Sequence, residues 1–234
     1  MTKHYFTEAY RDFRKRATEA TPGISTNEIY DAFTQRLGEI WSARGKVLDI
    51  GAGIGILSDR LRKTGRFDIV VGADFLCPHQ TLIDIPWVRC DLNVDLPFVP
   101  RSFDVIACAE VIEHLENPWD FARKLRSLLK DGGVLLLSTP NNASLRSYLS
   151  LLLRGYYPDF GPSSYPNHIT PFLRVDLMRI LAAVGFSQIK IHYTNVGAIP
   201  KMRRLKWQHL DGGLIFKGRL FSDNVLIEAR VSLK

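Results

Sequence analysis

The run Val47-Leu48-Asp49-Ile50-Gly51-Ala52-Gly53-Ile54-Gly55 constrains this chain more than any other. It reads as a buried strand that ends in an acidic residue and passes into a glycine-rich turn, with a helix over residues 56–62 directly after. A doubly wound sheet opens a nucleotide site in this way. The glycines let the backbone turn sharply and let a ligand come within contact distance. The spacing then narrows the ligand. A dinucleotide fingerprint, G-x-G-x-x-G, wants a small residue at position 56, whereas this chain has Ile56 there and Gly55 one place earlier. The pattern D-x-G-x-G-x-G needs no pyrophosphate and argues against a nicotinamide enzyme. An acidic residue ahead of open glycines suits a nucleotide that carries a cationic amino acid.

The strand–helix alternation continues downstream. Residues 68–74 and 87–91 are short, apolar and end in Asp; 103–109 is a fourth strand. The fifth, 133–138, follows a helix predicted to stop at Lys130-Asp131-Gly132-Gly133. These runs are continuously apolar, as strands covered on both faces should be, and the alternation implies a parallel sheet with right-handed crossovers. Upstream, residues 5–43 read as helical and polar-aromatic, broken at Thr21-Pro22-Gly23. Capping chemistry in Ser25-Thr26-Asn27-Glu28 opens a second helix over 28–43. Beyond the fifth strand, 142–154 is a leucine-rich helix candidate and 155–171 is irregular. A helix over 173–184 ends at Gly185, and 187–194 and 224–233 are two further strands.

With 234 residues, 46% of them hydrophobic and 24% charged, the chain has material for one good core and reads as a single domain over 1–234. It divides into a helical N-terminal cover (1–43), an insert on the substrate side (143–171) and a basic segment (201–219). No apolar run approaches the roughly 18 residues that would span a membrane, and Met1-Thr2-Lys3-His4 lacks a signal-peptide character. Cys77, Cys90 and Cys108 show no metal spacing. Cys90 and Cys108 fall in predicted strands as small core residues, which fits a reducing cytoplasm. The net charge of +7 fits nucleic acid, a nucleotide-linked sugar or an anionic membrane surface, and equally a soluble protein that happens to be basic.

Three acidic strand ends occur in order, Asp49, Asp74 and Asp91. Asp74 lies at the distance beyond the glycine turn at which a carboxylate meets ribose hydroxyls. Each Asp alone reads as a helix cap or solvated turn; the ordered set with Gly51, Gly53 and Gly55 is specific. Together they resemble the class I S-adenosyl-L-methionine (SAM) methyltransferases, the glycine segment matching their motif I. The resemblance covers about residues 45–140. It implies SAM as cofactor, with Asp74 on both ribose hydroxyls, Phe75 flanking the adenine, Asp91 and Leu92 touching its ring, and Ala109 beside the methionine portion. In this family a final hairpin closes the sheet, so the resemblance implies a doubly wound, mostly parallel α/β sheet of seven strands with the last antiparallel. Glu110-Val111-Ile112-Glu113-His114-Leu115-Glu116-Asn117-Pro118 resembles the E-x-x-E-H-x-x-x-P segment of small-molecule O-methyltransferases, including those of ubiquinone synthesis. Lys130-Asp131-Gly132-Gly133 and Ser138-Thr139-Pro140-Asn141 match the family's frame around strand five.

Methyl transfer from a sulfonium is an in-line displacement with a good leaving group, so alignment dominates. A hydroxyl nucleophile also needs a base or a metal to take its proton. Glu110, Glu113 and His114 are the candidates; on a helix, positions 110 and 114 share a face with 113 beside them. Three readings stand. His114 is a general base with a pKa near neutral. Alternatively Glu110, Glu113 and His114 hold a divalent ion, as the resemblance to some ubiquinone-type and small-RNA enzymes implies. Or Glu110 and Glu113 cap a helix N-terminus while His114 packs. A bound metal is not the favoured reading. His168, in Pro166-Asn167-His168-Ile169-Thr170-Pro171, completes a metal set by resemblance to the small-RNA 2′-O-methyltransferases, serves as a substrate-binding base, or caps a loop.

On the acceptor side, Tyr148, Tyr156, Tyr157, Phe160 and Tyr165 suit a pocket for a sugar ring or planar substrate, or simply pin the loop. Leu145 to Leu153, with Arg146 and Arg154, suits a membrane surface or a packed helix. Lys201, Arg203, Arg204 and Lys206, near Trp207 and His209, suit phosphates or bulk solvent. The expected activity is methyl transfer to a hydroxyl of a small molecule, such as a glycan or secondary metabolite, with an anionic or sugar-containing acceptor fitting the charge. An RNA 2′-O-methyltransferase using a metal, and a SAM-binding regulator without chemistry, are the rivals.

Overall fold

The structure is a computed structural model and describes residues 8–19, 23–80, 84–200 and 202–232. The predicted break at Thr21-Pro22 and the polar start Met1-Thr2-Lys3-His4 lie outside them, as does Lys201.

The continuous apolar runs form strands whose successive residues enter two different cores. In β4 (Phe103–Ala109), Ile106 and Cys108 face one cluster while Val105, Ala107 and Ala109 face the other. β1 (Lys46–Ile50) and β5 (Leu129–Pro140) alternate in the same way, Leu48 against Val47 and Leu135 against Val134. One face is covered by α2 (Asn27–Ile40) and α3 (Ile56–Lys63), through Phe33, Leu37, Leu57 and Leu61. The other is covered by α4 (Pro118–Leu128) and α6 (Arg174–Ala183), through Phe121, Leu125, Leu177 and Ile180.

With β2 (Ile69–Asp74), β3 (Trp87–Arg89), β6 (Phe186–Tyr193) and β9 (Asn224–Val231), the sheet has seven strands in the order β3-β2-β1-β4-β5-β9-β6. The pairs among β1 to β5 are parallel, and β9 runs antiparallel between β5 and β6. The expected seven-stranded, mostly parallel sheet with an antiparallel last strand is present. The strand order reverses between β1 and β4, and that switch point is where an open α/β sheet has its ligand crevice.

Several local expectations are corrected. α4 stops at Leu128 rather than at the glycines. Leu129 already pairs with Phe103, and Lys130 Nζ reaches both carboxylate oxygens of Asp104 at 2.8 Å, so Asp131-Gly132-Gly133 lies within β5, at a register shift. The Thr26 side chain makes no cap bond to α2; its carbonyl accepts from Ile29 and Tyr30 N–H instead. α5 (Leu145–Arg154) starts at the Ser144 cap because Asn141 and Asn142 are committed elsewhere, to the Arg219, Ser222 and Phe172 carbonyls. Cys90 follows β3 rather than lying in it, packed against the core, and Cys108 is fully buried. The basic segment contains a strand that the sequence did not announce: β7 (Ala198–Ile199) pairs antiparallel with β8 (Met202–Lys206). Among the described residues no helix is long and apolar enough to cross a membrane.

Candidate active site

A cavity of about 760 Å³ opens at the carboxyl ends of β1 and β4, within the size range of small-molecule sites. Its wall carries Asp49, Gly51, Gly53, Asp74, Phe75, Asp91, Leu92, Ala109, Glu110, His114 and His168, so eleven residues expected from the sequence meet there. Gly55 does not line it; at φ +94° it provides the left-handed residue that starts α3.

The glycine turn is built by backbone contacts. Gly51 N–H donates to the Ala73 carbonyl at 2.8 Å, tying the end of β1 to β2. Gly53, at φ +59°, donates its N–H to Asp74 Oδ2 at 2.8 Å, and Leu76 N–H donates to Oδ1 at 2.8 Å. Asp74 thus orders the turn as well as facing the cavity. Asp49 is buried under it and accepts from Ser58 Oγ at 2.6 Å. Burial, reinforced by the neighbouring Asp74 charge, pushes the Asp49 carboxyl up to about 7 despite that hydrogen bond. The Phe75 ring has the Lys15 ammonium and the Arg89 guanidinium each 5.0 Å from its centroid. Asp91 sits in the loop after β3 and accepts from Asn93 N–H at 2.9 Å.

At the end of β4 the chain departs from the expected helix. Glu110 has φ +56°, and only Ile112–His114 form a short 3₁₀ turn, so the i, i+4 geometry does not apply. Glu110 turns toward β5 and β9, accepting from Ser138 Oγ at 3.0 Å and Asn224 Nδ2 at 2.9 Å. Its burial raises the carboxyl to about 7. Glu113 is fully buried and accepts from Thr139 Oγ1 at 3.0 Å through one oxygen, while Oε1 has no partner. Neither carboxylate caps a helix; Asn117 caps α4, accepting from Asp120 N–H at 2.9 Å.

His114 donates Nδ1–H to the Asn167 carbonyl at 2.9 Å, which leaves Nε2 as the lone-pair nitrogen. Burial pulls its pKa down to about 4, aided by His168, instead of the expected near-neutral value. His168 packs edge-on against it, ring centroids 4.6 Å apart, with its own Nδ1 buried and unpartnered. One donor atom each from Glu113, His114 and His168 lie within 4.8 Å of one another. Two imidazoles and a carboxylate, two of them with idle donor atoms, fit a divalent transition ion better than magnesium, which prefers oxygen. Glu110, expected in that set, stands apart from it.

The cavity also holds residues the sequence reading passed over. Arg14, on α1 (Glu8–Glu19), donates to the His114 carbonyl and lies 3.6 Å from Glu116. Tyr30 of α2, Asp159, Asp223 and Asn224 also line the cavity, together with Arg146, which the sequence suggested for a membrane surface or a packed helix. Only the basic and aromatic character of α1 hinted at the first. Of the basic run, Lys206 reaches the cavity wall and Arg204 is exposed; Trp207 packs on Phe216 and Phe221. On α5, Leu152 is 81% exposed, but Arg146 points inward to Asp159 rather than outward. Tyr156, Tyr157, Phe160 and Tyr165 line a separate cavity of about 610 Å³ that shares His168 with the first; Tyr148 is on neither wall.

Fold and site together define a class I SAM-dependent methyltransferase, with SAM as its cofactor. The chain belongs to the methyltransferase domain family, whose model matches residues 24–191. It is 31% identical over 172 residues to a ubiquinone biosynthesis O-methyltransferase of Coxiella burnetii, covering 64% of this chain and 68% of that protein. The enzyme of the same name from Burkholderia cenocepacia is 27% identical over 188 residues, covering 71% and 80%. Solved structures share the fold. A SAM-dependent methyltransferase from Archaeoglobus fulgidus superposes with TM-score 0.55 at 18% identity, covering 94% of this chain and 99% of that one. One from Mesorhizobium loti superposes with TM-score 0.57 at 16% identity, covering 91% and 99%.

Proposed function

We propose that the protein methylates a hydroxyl of a small molecule, a glycan or a secondary metabolite, by in-line displacement. The observation that carries this is the presence of Glu110, His114 and His168 on one cavity wall, the two histidines forming a donor set with the buried Glu113. A hydroxyl is the acceptor that most needs such help, because its proton must leave as the oxygen attacks. The O-methyltransferase relatives support the same reading.

SAM supplies the sulfonium methyl group. Asp49, Gly51, Gly53 and Ala109 border its methionine portion, Asp74 takes the ribose hydroxyls, and Phe75, Asp91 and Leu92 border the adenine. Gly55 sets the start of α3. Glu110 is the proton acceptor, since a carboxyl near 7 is half ionised at neutral pH. His114, near 4, is a weak base and serves better as a ligand. A divalent cation held by Glu113, His114 and His168 would lower the pKa of the acceptor hydroxyl. Asn167 would fix the His114 tautomer for that role.

An RNA 2′-O-acceptor is the second reading, favoured by the approach of His168 to His114 and by the charge of +7. The test uses methyl-labelled SAM and an extract of the source cells, with and without EDTA. Label in small-molecule or lipid fractions supports the proposal. Label in RNA, falling steeply with salt, replaces it with the second reading. Absence of label from every fraction, with SAM bound, points to a regulator without chemistry.

A further inference from the structure

We infer that the far half of the cavity is a subsite for a hydroxyl-rich ring of the sugar class, held by Arg146, Asp159, Asp223 and Asn224. The inference rests on the hydroxyl-transfer reading above and adds the class of acceptor. Arg146 enters from α5 with its side chain 15% exposed. Its guanidinium forks onto Asp159 at 3.2 and 3.3 Å and lies 3.7 Å from Asp223 Oδ1. Asp223 is fixed in turn, its Oδ2 accepting from Ala198 N–H at 3.0 Å. Asn224 follows it at the start of β9 and reaches Glu110 at 2.9 Å, which joins this wall to the proton acceptor. Asp159 and Glu110 both line this cavity.

A guanidinium, two carboxylates and an amide, all held by neighbours, form a set of planar paired donors and acceptors. Adjacent ring hydroxyls match it, because each can donate to a carboxylate and accept from an N–H. A flat aromatic acceptor finds little there. Apart from the imidazoles, the rings on this wall are Tyr30 and Phe75, both beside the glycine turn, and Tyr156, Tyr157 and Tyr165 of the insert line the other cavity. An acceptor without hydroxyls would set apolar surface against this paired set, with nothing to donate to its carboxylates or accept from its N–H groups. The opposed charges of Arg146, Lys206, Asp159 and Asp223 nearly cancel, so the ring itself is neutral.

The test again uses labelled SAM and the source extract, now followed by nuclease digestion and acid hydrolysis of the products. Label is expected in O-methyl monosaccharides from nuclease-resistant material; the small anionic and the polymeric fractions separate a nucleotide-linked sugar from a glycan. Arg146→Met and the isosteric Asp159→Asn should cut incorporation by about 10- to 100-fold at limiting extract. Incorporation should recover at high extract, with SAM affinity unchanged. Asp159→Asn keeps the size of the side chain and guards against a folding defect in Arg146→Met. Label in phenolic lipids or nucleosides overturns the sugar inference and leaves hydroxyl transfer standing. No labelled product overturns both, and full incorporation by both variants at limiting extract removes the subsite.

Discussion

Glu110 combines features that rarely coincide. It holds a left-handed backbone without being glycine, its carboxyl is buried, and two side chains donate to it. Below pH 7 that carboxyl is protonated and cannot accept the acceptor's proton, so kcat should climb through about 7. Glu110→Gln should lower kcat by about 10²- to 10⁴-fold and flatten the profile; an unchanged inflection in the variant would place the base elsewhere. Stability gives a second readout. The folded-state value lies above that of the unfolded chain, so the stabilisation is present in acid and is lost as pH rises through about 7. The thermal midpoint of Glu110→Gln should therefore fall less than that of the wild type between pH 5 and 8. Asp74 yields to a simpler test. Asparagine there removes the charge proposed to meet the ribose and weakens the latch on Gly53, and SAM should bind about 10- to 100-fold more weakly by calorimetry. Both residues were legible in the sequence because they sit at strand ends beside a local glycine pattern. The direction of Glu110 was not, because it follows from a single dihedral angle and from Asn224, which is distant in sequence.

At the scale of elements, the glycine turn depends on a contact that no local pattern contains. Gly53 approaches Gly23 so closely that a Cβ on it would lie 1.9 Å from the Gly23 carbonyl oxygen, and its φ is +59°. Ile54 N–H also donates to that carbonyl at 3.3 Å. Gly53→Ala must push the segment before α2 off the turn as well as strain the backbone. The expected cost is on the order of 2 kcal/mol of stability, seen in urea melts, together with a loss of SAM binding. Wild-type stability and affinity in the variant would show that the approach is dispensable. The strand-turn-helix unit and both core faces were readable, since 2-residue and 3.6-residue periods are local properties. The expectation for 110–114 failed because spacing alone assumes an α-helix, and this segment is a 3₁₀ turn following a left-handed residue. The start of β5 failed for a related reason: paired glycines mark a helix stop and a strand irregularity alike, and the Leu129–Phe103 pairing decides between them.

Over the whole molecule, the site is assembled from pieces that the sequence keeps far apart. Glu113 and His114 follow β4, while His168 arrives from the irregular segment after α5, anchored where Ile169 and Thr170 N–H donate to the Glu113 carbonyl at 3.0 and 3.1 Å. That anchoring places a third donor beside two others, and Glu113 Oε1 and His168 Nδ1 have no hydrogen-bond partners. Buried polar atoms left in this state cost about 1–3 kcal/mol each, so a group that satisfies them should stabilise the fold. A divalent ion at a hundred times its dissociation constant adds about 2.7 kcal/mol, which for a chain of this size raises the thermal midpoint by roughly 5–10 °C. Manganese or zinc should produce that shift with the EDTA-treated protein, and magnesium a smaller one. Glu113→Gln and His168→Ala should abolish it, each leaving SAM binding intact, since neither side chain borders the proposed cofactor contacts. Turnover should fall with EDTA and return with manganese. A protein whose midpoint ignores all three ions, and whose turnover ignores EDTA, would leave Glu110 alone to take the proton and make the histidine pair a packing feature.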